Sequence, residues 1–340
     1  MPTDVRTEPS PPAPGWGVSL LPTVTVARVV EQATIAESLG FDRCWVYDEG
    51  LGTRELWITL TAVGLATDRM AVGPGITNPY TRHVGVTAAA AATLDELTGG
   101  RVFVGFGVGG SLALDPLVIE RRRPALAIRE AIDGCRLLWR GGPANLAGGV
   151  VTLHHARLDY GPPTIPIWVA GRGPRVLATG GARADGVSLD HIHRDFLAGD
   201  TAHVREAAAR AGTVVRLAYA TTIVTTDAAL ERARRHMTYR LVDSPPSVKE
   251  AIGLTRTGSD AIRSALPDGL EAAARFVKDD WVLPFIVHGT AGECATALAG
   301  LCRDHGFDEL IVPIPDSDFA EATMATAAEV RQFVDGAAPG

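Results

Sequence analysis

The chain has 340 residues, 46% hydrophobic and 21% charged, with a formal net charge of −7 at pH 7. That is ample for a full core, and α/β barrels routinely reach this length as one domain. The acidic balance, with no long basic block, argues against a nucleic-acid partner, and no apolar run is long enough to span a bilayer.

Residues 1–14 are polar and proline-rich, lack the apolar core of a signal peptide, and read as a disordered tail ahead of a single domain over 15–340. Residues 16–21 read as a first strand. A helix follows over 26–39, with apolar residues at i, i+3 and i+4, closed by Gly40. Residues 43–48 form a second strand and 55–66 the next helix. Residues 70–76 are a third strand, interrupted by Gly73-Pro74-Gly75, and an alanine-rich helical run over 86–97 ends at Gly99-Gly100. The fourth strand, 102–106, runs out among Gly105, Gly107, Gly109 and Gly110, and a long helix spans 124–139. Residues 145–163 are a connection with room for a short hairpin. The fifth strand is 165–170, and Gly171-Arg172-Gly173-Pro174 starts a helix to 180. The sixth strand is 186–189, with a helix over 196–211; the seventh is 217–224, with a helix over 228–242. An irregular, helical insertion occupies 244–280. A helix over 290–305, an eighth strand over 309–313 and a last helix over 319–334 complete the chain.

Eight β-rich runs alternating with helical patterns argue for a parallel sheet with crossover helices, closed as a (β/α)8 TIM barrel. A doubly wound open sheet is the alternative, weakened by the lack of GxGxxG after the first strand. In a barrel, function gathers at the C-terminal strand ends. Those ends carry Asp48 and Glu49, then Thr77, Asn78 and Tyr80, then Ser111 and Asp115, then Asp190, His191 and His193. Adjacent Asp48 and Glu49 are expected to face opposite ways on a strand, which makes Glu49 a loop or oligomer contact. Gly171-Arg172-Gly173-Pro174 is the clearest anion site: amides at a helix N-terminus attract phosphate, and Arg172 adds charge. His191 and His193 are two residues apart and would share one side of a continuing strand, as acid or base near neutral pH; structural histidines are the plainer reading. No third ligand accompanies them, so no metal is expected. Cys44, Cys135, Cys294 and Cys302 show no CxxC spacing and read as reduced thiols in a cytoplasmic protein.

The stretch GPGITNPYTRH over 73–83, followed by TAAAAATLDELTGGR over 87–101, resembles the coenzyme F420-dependent methylenetetrahydromethanopterin reductases of the bacterial luciferase-like superfamily. FDRCWVYD, IPIWVAGRGPRVL, RADGVSL and IVHGTAGEC follow in family order. The resemblance implies a (β/α)8 barrel with insertions, F420 as cofactor, and hydride transfer between the deazaflavin C5 and a small organic substrate. It implies a homodimer formed by helices near strands two to four. It implies a non-prolyl cis peptide at Gly75–Ile76 against the deazaflavin ring. Thr77, Asn78, Gly107, Val108 and Gly109 would complete the cofactor site, with Gly171, Arg172 and Gly173 at its phosphate. Asp48 would be a ring contact or proton donor, with His191 or His193 as the second choice. Two positions depart from the family. The reductases carry a glutamate where Ser19 stands and an acidic residue where Gly110 stands, which puts the methylenetetrahydromethanopterin reaction itself in doubt. FMN, as in the superfamily's monooxygenases, is the alternative cofactor, and a non-catalytic ligand-binding barrel is a third reading.

Overall fold

Eight parallel strands, each buried on both faces, form the centre of the protein. The computed structural model describes residues 13–160 and 164–336; residues 1–12 of the expected tail lie outside the described residues. The strands are β1 Gly15–Leu20, β2 Arg43–Val46, β3 Ala71–Pro74, β4 Val104–Phe106, β5 Ile167–Ala170, β6 Gly186–Asp190, β7 Arg216–Ala220 and β8 Glu309–Ile314. Their order is β3-β2-β1-β8-β7-β6-β5-β4, all parallel. Bridges from Val72 to Val102 and from Thr77 to Phe106 join the two ends, so the sheet is a closed (β/α)8 barrel and not the open alternative. Val18, Leu20, Cys44, Val46, Val187 and Leu189 are fully buried on one face, and the intervening Ser19, Trp45 and Ser188 are buried on the other, as a strand covered on both sides requires.

Helices α1 Val26–Ser38, α2 Leu56–Ala66, α3 Val84–Thr98, α4 Pro124–Trp139, α5 Pro174–Arg183, α6 Arg194–Ala211, α7 Asp227–Val242, α8 Ala291–His305 and α9 Ala320–Gly336 surround the strands. Their ends follow local chemistry. Thr25 caps α1, Thr290 and Glu293 form a reciprocal capping box on α8, and Gly99 closes α3 at φ +67°. Residues Ala144–Ala147 and Thr152–Ala156 pair as an antiparallel hairpin after α4. Glu130 of α4 accepts the N–H groups of Gly149, Val150 and Val151 at 2.8, 2.8 and 2.9 Å. Burial works against that carboxylate, but the three donors hold it below the usual range.

The seventh strand is shorter than its apolar run. It ends at Ala220, and Ile223–Val224 pairs with Val287–His288 outside the barrel. Thr221 donates its hydroxyl to the Phe285 carbonyl at 3.1 Å, which draws the chain off the barrel wall. After α7 come the short helices Pro246–Ala251, Arg256–Ala265, Leu270–Ala274 and Asp279–Val282. They share a second apolar cluster with α7, including Leu241, Ile262, Val282 and Phe285.

The N-terminal end of the barrel is plugged by a polar and aromatic cluster. Arg43 and Glu309 pair at 3.1 Å, and Trp45 donates its indole N–H to Glu309 at 3.0 Å. The Arg43 guanidinium lies 4.6 Å from the Phe103 ring centre and 4.9 Å from that of Trp168. Gly17 is required here, because a Cβ on it would fall 2.7 Å from Glu309 Oε1. Trp45 spans from this plug to the opposite face, where it lines the cleft described next.

Candidate active site

The C-terminal strand ends surround a cleft of about 360 Å³. One wall comes from the end of β3. The Gly75–Ile76 peptide is cis. Three glycines make room for it. A Cβ on Gly75 would lie 2.4 Å from Trp45 Cβ, one on Gly105 would lie 2.4 Å from the Pro74 carbonyl oxygen, and one on Gly107 would lie 2.0 Å from Ile76 Cδ1. The ladder resumes beyond, with Thr77 N–H donating to Gly105 at 2.9 Å and Gly107 N–H donating to Thr77 at 2.8 Å. Gly75, Ile76, Thr77, Asn78, Val108 and Gly109 line the cleft; Gly107 does not, and acts from behind by seating Ile76. Asn78 is held as a turn former, its Oδ1 accepting from the Tyr80 and Thr81 amides at 2.9 and 3.0 Å.

The facing edge is built by β5 and α5. Gly171, Arg172 and Gly173 all line the cleft, and Pro174 occupies the first helical turn. Among the described residues the Arg172 guanidinium makes no ion pair or hydrogen bond, so it is an open positive charge beside the free amides of α5.

Three carboxylates reach the mouth. Asp48 accepts the Thr77 hydroxyl at 2.7 Å. Asp190 accepts from Arg240 Nη2 at 2.7 Å, and its Oδ1 lies 2.5 Å from His191 Nδ1. Burial opposes the Asp190 charge, but Arg240 and then His191 and Arg172 hold this carboxyl far below the usual range. Glu49 is different. Burial, and then the charges of Asp48 and Asp190, push it up to about 7. The expected separation of Asp48 and Glu49 is therefore wrong: β2 stops at Val46, strand alternation no longer applies, and both residues line the cleft. Glu49 is the residue that sequence reasoning missed. The signal available was a second acid at a barrel strand end.

The two histidines are not together either. His191 adopts φ +45°, which turns the chain at the end of β6. Its Nε2 lies 2.9 Å from the Thr222 hydroxyl, and the ring lines a second cavity of about 290 Å³. His193 instead caps α6, its Nδ1 accepting from the Asp195 amide at 3.2 Å. It packs edge-on against Phe196 and Phe285, 5.5 Å from each ring centre, and lines neither cavity. Ser111 and Asp115 sit in short helical turns and also line neither. Ser19 does line the cleft, as does Gly110. Among the described residues no group of three or more His, Cys, Asp and Glu side chains is placed to hold a metal ion. No helix among them is long and apolar enough to cross a membrane.

Comparison with known proteins adds a family. The family model described as luciferase-like monooxygenase matches residues 2–309. A 5,10-methylenetetrahydromethanopterin reductase of Archaeoglobus fulgidus is 30% identical over 78% of this chain and 80% of its own length. The structure of the coenzyme F420-dependent tetrahydromethanopterin reductase from Methanopyrus kandleri is similar with a TM-score of 0.84, at 26% identity over 95% of this chain and all of that one. A type II Baeyer–Villiger monooxygenase of Pseudomonas putida in complex with FMN has a TM-score of 0.69, covering 96% of this chain and 98% of its own. At 17% identity that likeness is one of fold alone.

Proposed function

The chain belongs to the luciferase-like monooxygenase family, and from that premise we propose that it is an oxidoreductase using coenzyme F420 to move a hydride to or from a small organic substrate. The observation that carries this reading is the 0.84 TM-score likeness to an F420-dependent reductase, with 26% of residues identical. The cleft suits such a group. Ile76, Trp45 and Val108 present an apolar wall to a flat ring, and Arg172 with the α5 amides presents a positive edge to an anionic tail. When bound, the deazaflavin supplies the hydride at C5.

The chain's own residues supply the rest. Gly105 and Gly107 fix the wall against which a ring would lie. Gly171, Arg172 and Gly173 would hold the phosphate, and Asp48, oriented by Thr77, would contact the ring. His193 has no place in this scheme, because it lies in neither cavity. FMN remains the second reading, since its tricyclic ring skeleton differs from that of the deazaflavin at one atom.

Titration with each cofactor, followed by tryptophan fluorescence, tests the choice, because Trp45 lines the cleft. Tighter binding of F420 than FMN is expected. The reverse order makes this an FMN enzyme, with oxygen uptake as its next assay. Binding of neither sinks the cofactor reading, whereas F420 binding without any turnover favours a non-catalytic barrel.

The reading includes a cytoplasmic homodimer with no nucleic-acid or membrane partner. What supports the dimer is a set of exposed apolar side chains, Ile58 at 67% and Leu65 at 65% on α2, and Val86 at 57% and Leu97 at 52% on α3. Sedimentation should give twice the 35.7 kDa chain mass, and Ile58→Glu should halve it. A monomeric parent protein sinks this part of the proposal.

A further inference from the structure

The two cavities meet at Glu49. Tyr47, Glu49, Arg172, Asp190 and Arg240 line both. Beyond them, Ile223, Ala233, Met237 and Phe319 give the second cavity an apolar side. His236 stands on its wall, with Nε2 lacking any hydrogen-bond partner among the described residues, and burial lowers the pKa of this imidazole. Of the carboxylates at the junction, Asp48 is occupied by Thr77, and Asp190 by Arg240 and His191. Of the two carboxylates that line both cavities, Asp190 and Glu49, Glu49 is the one that receives no hydrogen bond to its side chain among the described residues; its backbone N–H donates to the Thr53 hydroxyl at 3.3 Å and its carbonyl accepts from the Gly52 N–H at 3.1 Å. A Cβ on Gly110 would lie 3.6 Å from Glu49 Oε2, so the absence of a side chain there leaves this carboxyl uncovered.

We propose that Glu49 is the acid–base group of this site, and that the second cavity takes a ketone or aldehyde with a small apolar body, or the alcohol made from it. This deepens the proposed function and rests on its deazaflavin reading. A hydride delivered to carbon must be matched by a proton. The junction offers one uncommitted carboxyl, and a carboxylic acid suits a carbonyl oxygen, which has a lone pair to accept it. An iminium ion is already cationic and accepts hydride at carbon with no proton required, and an isolated alkene offers no basic atom. In the reducing direction a C–H bond forms at the carbonyl carbon, with the electron pair coming from the reduced deazaflavin. The C=O π pair moves onto oxygen, which takes the Glu49 proton. The carbonyl is reduced by two electrons, the deazaflavin is oxidised, and the carboxylate is reprotonated from solvent.

The groups facing Glu49 fit this duty. Asp48 on its own segment and Asp190 at the end of β6 disfavour its ionised form; Arg240 of α7 is spent on Asp190, and Arg172 faces both cavities. Tyr47 lines both cavities, and His191, Arg232, His236, Tyr239, Asp243 and Asp316 are the other titratable groups on the second; the segment after β4 presents only the uncharged Val108, Gly109 and Gly110.

The first test uses the cofactor-free protein. Its infrared spectrum should show a carboxylic acid C=O band that titrates at about 7, and Glu49→Gln should remove it. A band that survives in Glu49→Gln, or no band at all, overturns the assignment. Because the side chain makes no hydrogen bond, this variant should fold, with a midpoint equal to the parent's in acid and higher than the parent's as pH rises through about 7, where ionising the buried Glu49 costs the parent stability. The second test loads F420 and offers a series of methyl ketones and the matching secondary alcohols. Ketone reduction by the parent protein should fall as pH rises through about 7, since only the protonated carboxyl donates. Glu49→Gln should lower turnover by about 10²–10⁴-fold with cofactor affinity unchanged. Undiminished turnover overturns the role of Glu49. Ala233→Phe should raise KM for the longer ketones without changing cofactor affinity; an unchanged KM overturns the cavity assignment. Turnover of neither class by F420-loaded protein overturns the carbonyl assignment. Failure of F420 to bind overturns the parent reading instead, which the infrared arm does not depend on.

Discussion

Gly105→Ala is expected to cost about 1–3 kcal/mol of stability and to weaken cofactor binding at least about tenfold. The new Cβ would sit 2.4 Å from the Pro74 carbonyl oxygen, 2.9 Å from Ile76 Cγ2 and 3.3 Å from Trp45 Cζ3. The first of these contacts is backbone, so no side-chain rotation relieves it. The chain must move either β4 or the Pro74–Ile76 segment, and the second forms the cleft wall. Gly107→Ala should be milder in stability, because its 2.0 Å contact is with the end of the Ile76 side chain, but it should push Ile76 into the cleft. Gly173→Ala is the control: a Cβ there meets nothing within 4 Å, so folding should be unaffected. Denaturant unfolding and cofactor titration of the three variants check this. A Gly105→Ala protein that binds cofactor as the parent does would show that the wall does not touch the ring.

The barrel was legible because its strands are short, mostly apolar runs, buried on both faces, that alternate with helical patterns. The cleft wall was legible because Gly73 to His83 resembles a known family's stretch, and the Gly75–Ile76 bond is cis as that likeness implies. What failed was local geometry at strand ends. Leu217 to Val224 is one apolar run, yet it feeds two sheets, because Thr221 bonds Phe285 from a distant part of the chain. Asp48 and Glu49 were assigned opposite faces by strand alternation, but β2 had already stopped at Val46. His191 and His193 were paired by the same rule, and the turn at His191 separates them. Period-two reasoning holds only while the ladder continues, and function sits where it ends. The second cavity could not be read at all. Its walls come from β2, β6, α7 and the segment after β8, which meet only through the closed barrel.

The plug at the other end supplies the largest expected loss of stability. Arg43→Met should destabilise the protein by about 3–5 kcal/mol, because it strands a buried carboxylate. Glu309 is 2% exposed; without Arg43 its hydrogen-bond donor is the Trp45 indole at 3.0 Å, with the Arg216 charge farther off. Burial already raises the Glu309 pKa, with Arg43 as the main force pulling it down, so the variant raises it further. The sign then follows. A carboxyl whose folded pKa lies above its unfolded value binds its proton more tightly in the folded state. Its stabilising contribution is complete below the unfolded pKa and is lost as pH rises through the folded one. The penalty of Arg43→Met should therefore be smaller at about pH 5, nearer the ordinary carboxyl pKa, than at about pH 8. Adding Glu309→Leu should restore most of the loss, since a buried pair replaced by apolar residues of similar volume is often neutral. Denaturation midpoints of the single and double variants at both pH values decide it. An Arg43→Met penalty that is small and independent of pH would mean that water reaches Glu309 from the N-terminal face, and that Phe103 and Trp168, not the ion pair, close the barrel there.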